Sequence, residues 1–304
     1  MGRLAVSAVI AGLGLGSMYA LVAIGYTLIL GASGVFNFAQ GAAVAAGALV
    51  SFGLGTELHL PVLVVIAVVL LTGGVTGMLT HTLAVLPLTF RRSASSLTYG
   101  TFLSTLGLGL VFNSIIALAF GIDTYPVHYY VSSSPWTVFG YRIPPIYLVM
   151  LLAVAVLGAL LELVSRRTKA GLVMRATFSD PEGAALAGVS ITSVIRRAFV
   201  VGCALAAVAG FFVAPLTDAS ASIADQFAFY GFAAMAIGGF GSLSGAITGG
   251  LIVGLVGEVP LLWLPPTSST ALVYGTLVFV LLVRPQGLFG SGGTAFGASA
   301  LREV

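Results

Sequence analysis

The feature that most constrains this chain is the length of its stretches without a charged side chain. Residues 4–56, 58–90, 93–122, 143–161, 198–217, 226–257 and 259–283 contain no Asp, Glu, Lys or Arg. A soluble domain carries roughly 25% charged residues, whereas here they make up 7% of 304. A hydrocarbon core about 30 Å thick takes about 20 apolar residues per crossing helix. In lipid, a helix pairs its own backbone N–H and C=O groups, which an open strand cannot do. The expectation is therefore all-α: a polytopic helical membrane protein with 1–304 as a single transmembrane domain.

Half of the twelve Lys and Arg residues fall between Arg166 and Arg197, and short Arg/Lys-rich loops stay on the cytoplasmic side. Arg91 and Arg92 mark a second cytoplasmic turn. Arg284 marks a cytoplasmic end to the last helix and places the tail 285–304 inside. The segments carrying Asp123, Tyr125, His128, Tyr129, Tyr130 and Trp136, and those carrying Asp218 and Asp225, then lie outside. Spans are expected near 4–30, 34–54, 62–88, 98–120, 145–164 and 198–216. The uncharged run 226–257 is too long for one helix and is read as two short or broken spans meeting near Gly238 to Ser242. With a last span near 268–283, this gives about eight or nine crossings and an external N terminus if the first three are complete. The apolar run after Arg3 is too long for a cleaved leader and is read as a retained first helix. The net charge of +3 is spread over short connections, which is a topology signal rather than a nucleic-acid footprint.

Forty glycines call for a reason, because glycine costs about 1 kcal/mol relative to alanine in a helix interior. In lipid the reason is close packing of helix backbones through small residues four apart, a spacing found in Gly12/Gly16/Ala20, Gly202/Ala206/Gly210 and Gly245/Gly249. A weak internal similarity also pairs 36–42, FNFAQGA, with 240–246, FGSLSGA. Membrane carriers are often built from such repeats, with interrupted helices at matching places.

No nucleophile, base and orienter can be assembled at membrane depth. Glu162, Glu258 and the three histidines lie near expected span ends or in outer loops, and an intramembrane enzyme, a proton-coupled carrier and a voltage sensor are all disfavoured. The lone Cys203 cannot form an internal disulfide, and no Cys/His cluster has metal-ligand spacing. The only lysine, Lys169, is not in a Gly-Lys-Ser/Thr phosphate loop, so this polypeptide does not itself hydrolyse ATP. Five polar side chains are candidates for lining a solute path: Asn37 and Gln40, and behind them Tyr19, Ser242 and Ser244. An amide at membrane depth costs a few kcal/mol unless it is bonded or faces a wet cavity. Asn37 and Gln40 could equally cap a broken helix or tie it to a neighbour.

The stretch 166–197 contains a short capped helix. Asp180 can cap it, Pro181 suits its first position, Glu182 favours its positive end, and Gly188 would stop it. By composition it is either a connection lying on anionic headgroups or a docking element for a soluble partner.

Residues Glu182 to Gly188, EGAALAG, resemble the E-A-A-x-x-x-G signature of the coupling element in permease subunits of ABC importers, with Gly183 where the first alanine would stand. Around it lie Gly14 to Leu21, GLGSMYAL, and Gly34 to Gly41, GVFNFAQG. Arg167-Thr168, Gly171, Arg175-Ala176, Gly238-Gly239, Gly245-Ala246 and Arg284 to Gly290, RPQGLFG, follow in order. Over about residues 5–290 this resembles the branched-chain amino acid permease family, most closely the shorter of its two permease subunits. Gln40 stands where a His is more usual.

The resemblance implies a bacterial cytoplasmic-membrane importer of branched-chain or other small amino acids. Urea, short amides and small carboxylates are alternatives within the same architecture, and a self-contained channel or secondary carrier is an alternative of another class. It implies a second homologous permease, two ATPase subunits holding ATP and Mg, and an external solute-binding protein as partners, with no cofactor in this chain. The ATPase-coupling residues would be Arg166, Arg167, Thr168, Gly171, Arg175, Asp180, Glu182, Ala184, Ala185 and Gly188.

Overall fold

The computed structural model describes residues 2–89, 94–121, 123–128, 130, 136–138 and 141–290. The expected turn at Arg91 and Arg92, Tyr129 and the last part of the tail, 291–304, lie outside the described residues. The chain is helical almost throughout. Helix α1 (Gly2–Ser33) is followed by a non-helical stretch and α2 (Gln40–Val50), which continues as a π-helical turn over Ser51–Glu57. Helix α3 (Val62–Thr80) runs through a π segment, His81–Val85, into α4 (Leu86–Thr89), and α5 (Ala94–Phe120) follows. A small antiparallel hairpin, β1 (Trp136–Val138) and β2 (Tyr141–Ile143), is the departure from all-α among the described residues. Its aromatic and β-branched residues favour strand geometry. Then come α6 (Pro145–Arg167), α7 (Lys169–Ser179), α8 (Pro181–Leu186), α9 (Ile191–Thr217), α10 (Ile223–Gly238), α11 (Leu243–Glu258) with a 3-10 extension, and α12 (Ser268–Val283).

Six of these helical segments are long and apolar enough to cross a membrane; α10 and α12 are shorter apolar helices, and α2 with its π turn makes a ninth apolar segment. The expected break in 226–257 is the turn between α10 and α11, where Gly239 and Gly241 take positive φ of 115° and 82°. The expected span 34–54 differs. Gly34, at φ 68°, ends α1, and helix resumes only at Gln40. The Gln40 side chain reaches the carbonyl of Val22, well inside α1, so α2 begins part-way along the bundle rather than at its edge.

The bundle has two distinct ends. At one, the start of α1 lies with Pro144, Glu258 and Leu262, and Tyr125 exchanges backbone hydrogen bonds with Ala219. Tyr130 stacks on Phe211 at 4.3 Å and hydrogen-bonds Ser51, and its burial raises the phenol above its ordinary pKa. At the other end, Thr27 and Leu28 of α1 meet Arg166, Arg175 and the α10–α11 turn. There the chain after α12 is sewn on by hydrogen bonds from Leu288 and Phe289 to the carbonyls of Ile237 and Gly238. The basic stretch thus gathers at one end, as its charges require.

Helices α1 and α9 form the centre of the bundle, with Leu21, Ile24, Phe199 and Phe211 fully buried. Leu103 and Leu118 of α5, Leu152 of α6 and Leu282 of α12 lie exposed on the outside, as an apolar solvent permits. The glycines act as backbone spacers. A Cβ on Gly16 would stand 2.7 Å from the carbonyl oxygen of Gly250, and one on Gly12 2.9 Å from that of Gly254. The stripe Gly12/Gly16/Ala20 is therefore the seam between α1 and α11. Gly202 and Gly210 let α9 approach α1 and α2, and Gly245 and Gly249 close α11 onto α10.

Candidate coupling face and membrane interior

Helix α6 ends where Thr168 turns extended, at φ −110° and ψ 154°, and the Thr168 hydroxyl accepts the N–H of Gly171 at 3.1 Å to start α7. Gly171 is buried against the carbonyls of Val164 and Ser165, so a side chain there would lift α7 off the end of α6. Asp180 repeats the device for α8, accepting the N–H of Gly183 at 2.9 Å. The Asp180 carboxylate occupies the space a Cβ on residue 183 would need. Glycine in place of the signature's first alanine thus follows from the cap. Gly188, at φ 84°, closes the turn, and the N–H of Val189 returns to the carbonyl of Ala184.

Of the expected coupling residues, Gly171 and Ala184 point inward, while Arg166, Arg167, Thr168, Arg175, Asp180, Glu182, Ala185 and Gly188 are exposed. The side chain that sequence reasoning missed is Leu186. It is 92% exposed at the tip of α8, and the available signal was an apolar residue between helix-cap and helix-stop residues in a charged loop.

The five path candidates do not form one site. Tyr19 packs against Phe227 and Tyr230 of α10, with ring centroids 5.0 and 5.1 Å away. Asn37 donates to Cys203 Sγ at 3.4 Å and accepts from the N–H of Ala39 at 3.2 Å. Gln40 donates to the carbonyls of Val22 at 2.9 Å and Gly202 at 3.5 Å, and its Oε1 is buried without a partner among the described residues. Both amides are fully buried, so in this chain they tie the start of α2 to α1 and α9. Ser242 caps α11 through the N–H of Gly245 at 3.0 Å, and Ser244 lies beside it. These serines border a cavity of about 500 Å³ together with Glu162, Arg166 and Arg175, at the coupling end rather than at mid-depth.

The stretches 36–42 and 240–246, matched in sequence, adjoin in space. Phe36 and Phe240 meet edge to face at 6.1 Å, and each stretch leads into a helix. Two membrane-depth groups escaped the sequence reading. Asn113 carries a buried Oδ1 without a partner among the described residues, four positions beyond Gly109, which packs on Phe38 and Ala39. His81 was expected near a span end but lies buried in the continuous α3–α4 segment against Phe199, at 5.8 Å. The helix runs on through the π segment His81–Val85 to Leu88, as the expected span 62–88 implies, and leaves His81 inside it.

A many-helix membrane bundle with broken helices and an exposed, capped loop helix at its basic end is the architecture of a membrane permease. The model of the family described as "Branched-chain amino acid transport system / permease component" matches residues 8–282, and the chain belongs to that family. Among relatives, it is 28% identical to the high-affinity branched-chain amino acid transport system permease protein LivH of Escherichia coli K12, covering 92% of this chain and 93% of that one. It is 29% identical to the corresponding BraD of Pseudomonas aeruginosa, over 92% and 94%. Against a probable LivH of Methanocaldococcus jannaschii it is 27% identical, over 90% and 89%. Among solved structures, PsaBC from Streptococcus pneumoniae in complex with Fab gives a TM-score of 0.48 at 14% identity, covering 91% of each chain.

Proposed function

We propose that this chain is one of two permease subunits of an ABC importer for branched-chain or other aliphatic amino acids, lying in a bacterial cytoplasmic membrane with its C terminus inside. ATP and Mg reside on two ATPase subunits, a second homologous permease completes the path, and an external solute-binding protein selects the solute. The observation that carries this reading is α8: a capped, six-residue helix with a 92% exposed leucine, stranded in water unless a soluble partner covers it. Arg166, Arg167, Thr168, Gly171, Arg175, Asp180, Glu182, Ala184, Ala185 and Gly188 shape and flank this surface. Asn37 and Gln40 hold the helix break beside the path, Tyr19 lines it against α10, and Ser242 and Ser244 border its inner end.

Reconstitution of the chain with its co-purifying permease, ATPases and binding protein tests the reading. Leucine uptake into ATP-loaded vesicles is expected, and none when the ATPases are omitted. Uptake without them would make the chain a self-contained carrier.

The orientation rests on the cost of translocating clustered Arg and Lys. In a background lacking Cys203, Ser179→Cys should resist an impermeant thiol reagent in intact cells, and Thr267→Cys, at the opposite end of the bundle, should react. The reverse pattern would invert the topology.

A further inference from the structure

The cavity at the coupling end has two unlike walls. One is charged: Glu162 uses Oε1 to pair with Arg166 at 2.5 Å, while Arg175 has no acidic partner among the described residues. The other is apolar, made by Leu28, Met174, Phe178 and Leu243. Between them stands the first turn of α11. A helix start leaves N–H groups free; here the Ser242 hydroxyl takes that of Gly245 and the Gly239 carbonyl that of Ser242, leaving those of Leu243 and Ser244 free among the described residues. Its volume of about 500 Å³ lies within the ordinary range for small-ligand sites.

We propose that this cavity is a second, inner-face site for an aliphatic α-amino acid. The inference rests on the import function proposed above and deepens it. The ligand's ammonium meets the second oxygen of Glu162. Its carboxylate meets Arg175 and the start of α11, where the helix dipole favours an anion, and its side chain lies on Met174 and Phe178. A ligand held this way bridges α6 and α7, which carry the coupling segment, to α11, which is locked to α1 through the glycine seam. Solute accumulated inside therefore braces the coupling segment and slows further import.

Two measurements on the assembled complex test this. The first is equilibrium binding of radiolabelled leucine to the purified permease–ATPase complex without the external binding protein, which reads the site whether or not transport occurs. Binding should weaken at least tenfold in Glu162→Gln, and 4-methyl-2-oxopentanoate, which lacks the ammonium, should not compete. Undiminished binding in the variant would overturn the site. Equal competition by the oxo acid would reduce it to a general anion pocket, such as one for a lipid phosphate or an ATPase carboxylate, and would also overturn it. The second is initial uptake into vesicles preloaded with leucine. The wild-type rate should fall severalfold relative to empty vesicles, and in Glu162→Gln the ratio of the rate into preloaded vesicles to that into empty ones should return to about one, whatever its basal rate. No slowing in the wild type would overturn the feedback role. Absence of uptake from empty vesicles would instead count against the import function.

Discussion

Leu186→Arg should abolish ATP-driven uptake while leaving the permease folded in the membrane. The side chain is 92% exposed and contributes almost nothing to this chain's own packing, so its replacement costs the fold little. At the centre of a docking surface the same change would bury a guanidinium without a partner, which commonly costs 3–5 kcal/mol, or more than a hundredfold in affinity. Pull-down of the ATPases and solute-stimulated hydrolysis should both drop to background. Gly188→Glu should act in the same direction by another route, since nothing within 4 Å would touch its Cβ but φ 84° strains any other residue. Full uptake in Leu186→Arg would mean that α8 is only a connector on the membrane surface.

Gly254→Leu should have the opposite signature: loss of the folded chain itself. Any Cβ on residue 254 would collide with the carbonyl of Gly12 and the backbone of Gly16. Overpacking of a closed interior costs about 1–3 kcal/mol even when the clash is with flexible side chains, and here it is with helix backbone. The membrane-inserted protein should be degraded or should elute as aggregate in detergent, whereas Gly275→Leu, with nothing within 4 Å of its Cβ, should be tolerated. Normal yield and a monodisperse profile for Gly254→Leu would show that the seam can open without cost.

These two variants divide what the sequence showed from what it hid. The charge-free runs made the helices legible, because lipid permits few alternatives, and the caps of α8 were readable because Asp180, Pro181 and Gly188 act through local geometry. The glycine spacing announced a seam but not its partner. Gly12 and Gly16 meet Gly250 and Gly254, and nothing in a four-residue period names the facing helix. The interior was least legible. Asn37 and Gln40 signalled polarity at depth, yet that they bond Cys203, Val22 and Gly202 depends on where the chain after Gly34 folds back. Ser242 and Ser244 signalled polarity in an apolar run, while their depth is set by the C-terminal segment, which holds the α10–α11 turn at the basic end. That turn is pinned by contacts between residues about fifty positions apart, which no local pattern carries.

The α1–α11 seam also sets an order of events in biogenesis. Gly12 emerges from the ribosome about 240 residues before Gly254, and at roughly 5–20 residues per second the first helix waits about 12–50 s in the bilayer with its glycine stripe uncovered. During that interval α1 has no native neighbour for the face that will become its tightest, and small-residue stripes associate with one another. The early intermediate is therefore open to mispairing with other nascent helices until α11 arrives to cover the stripe.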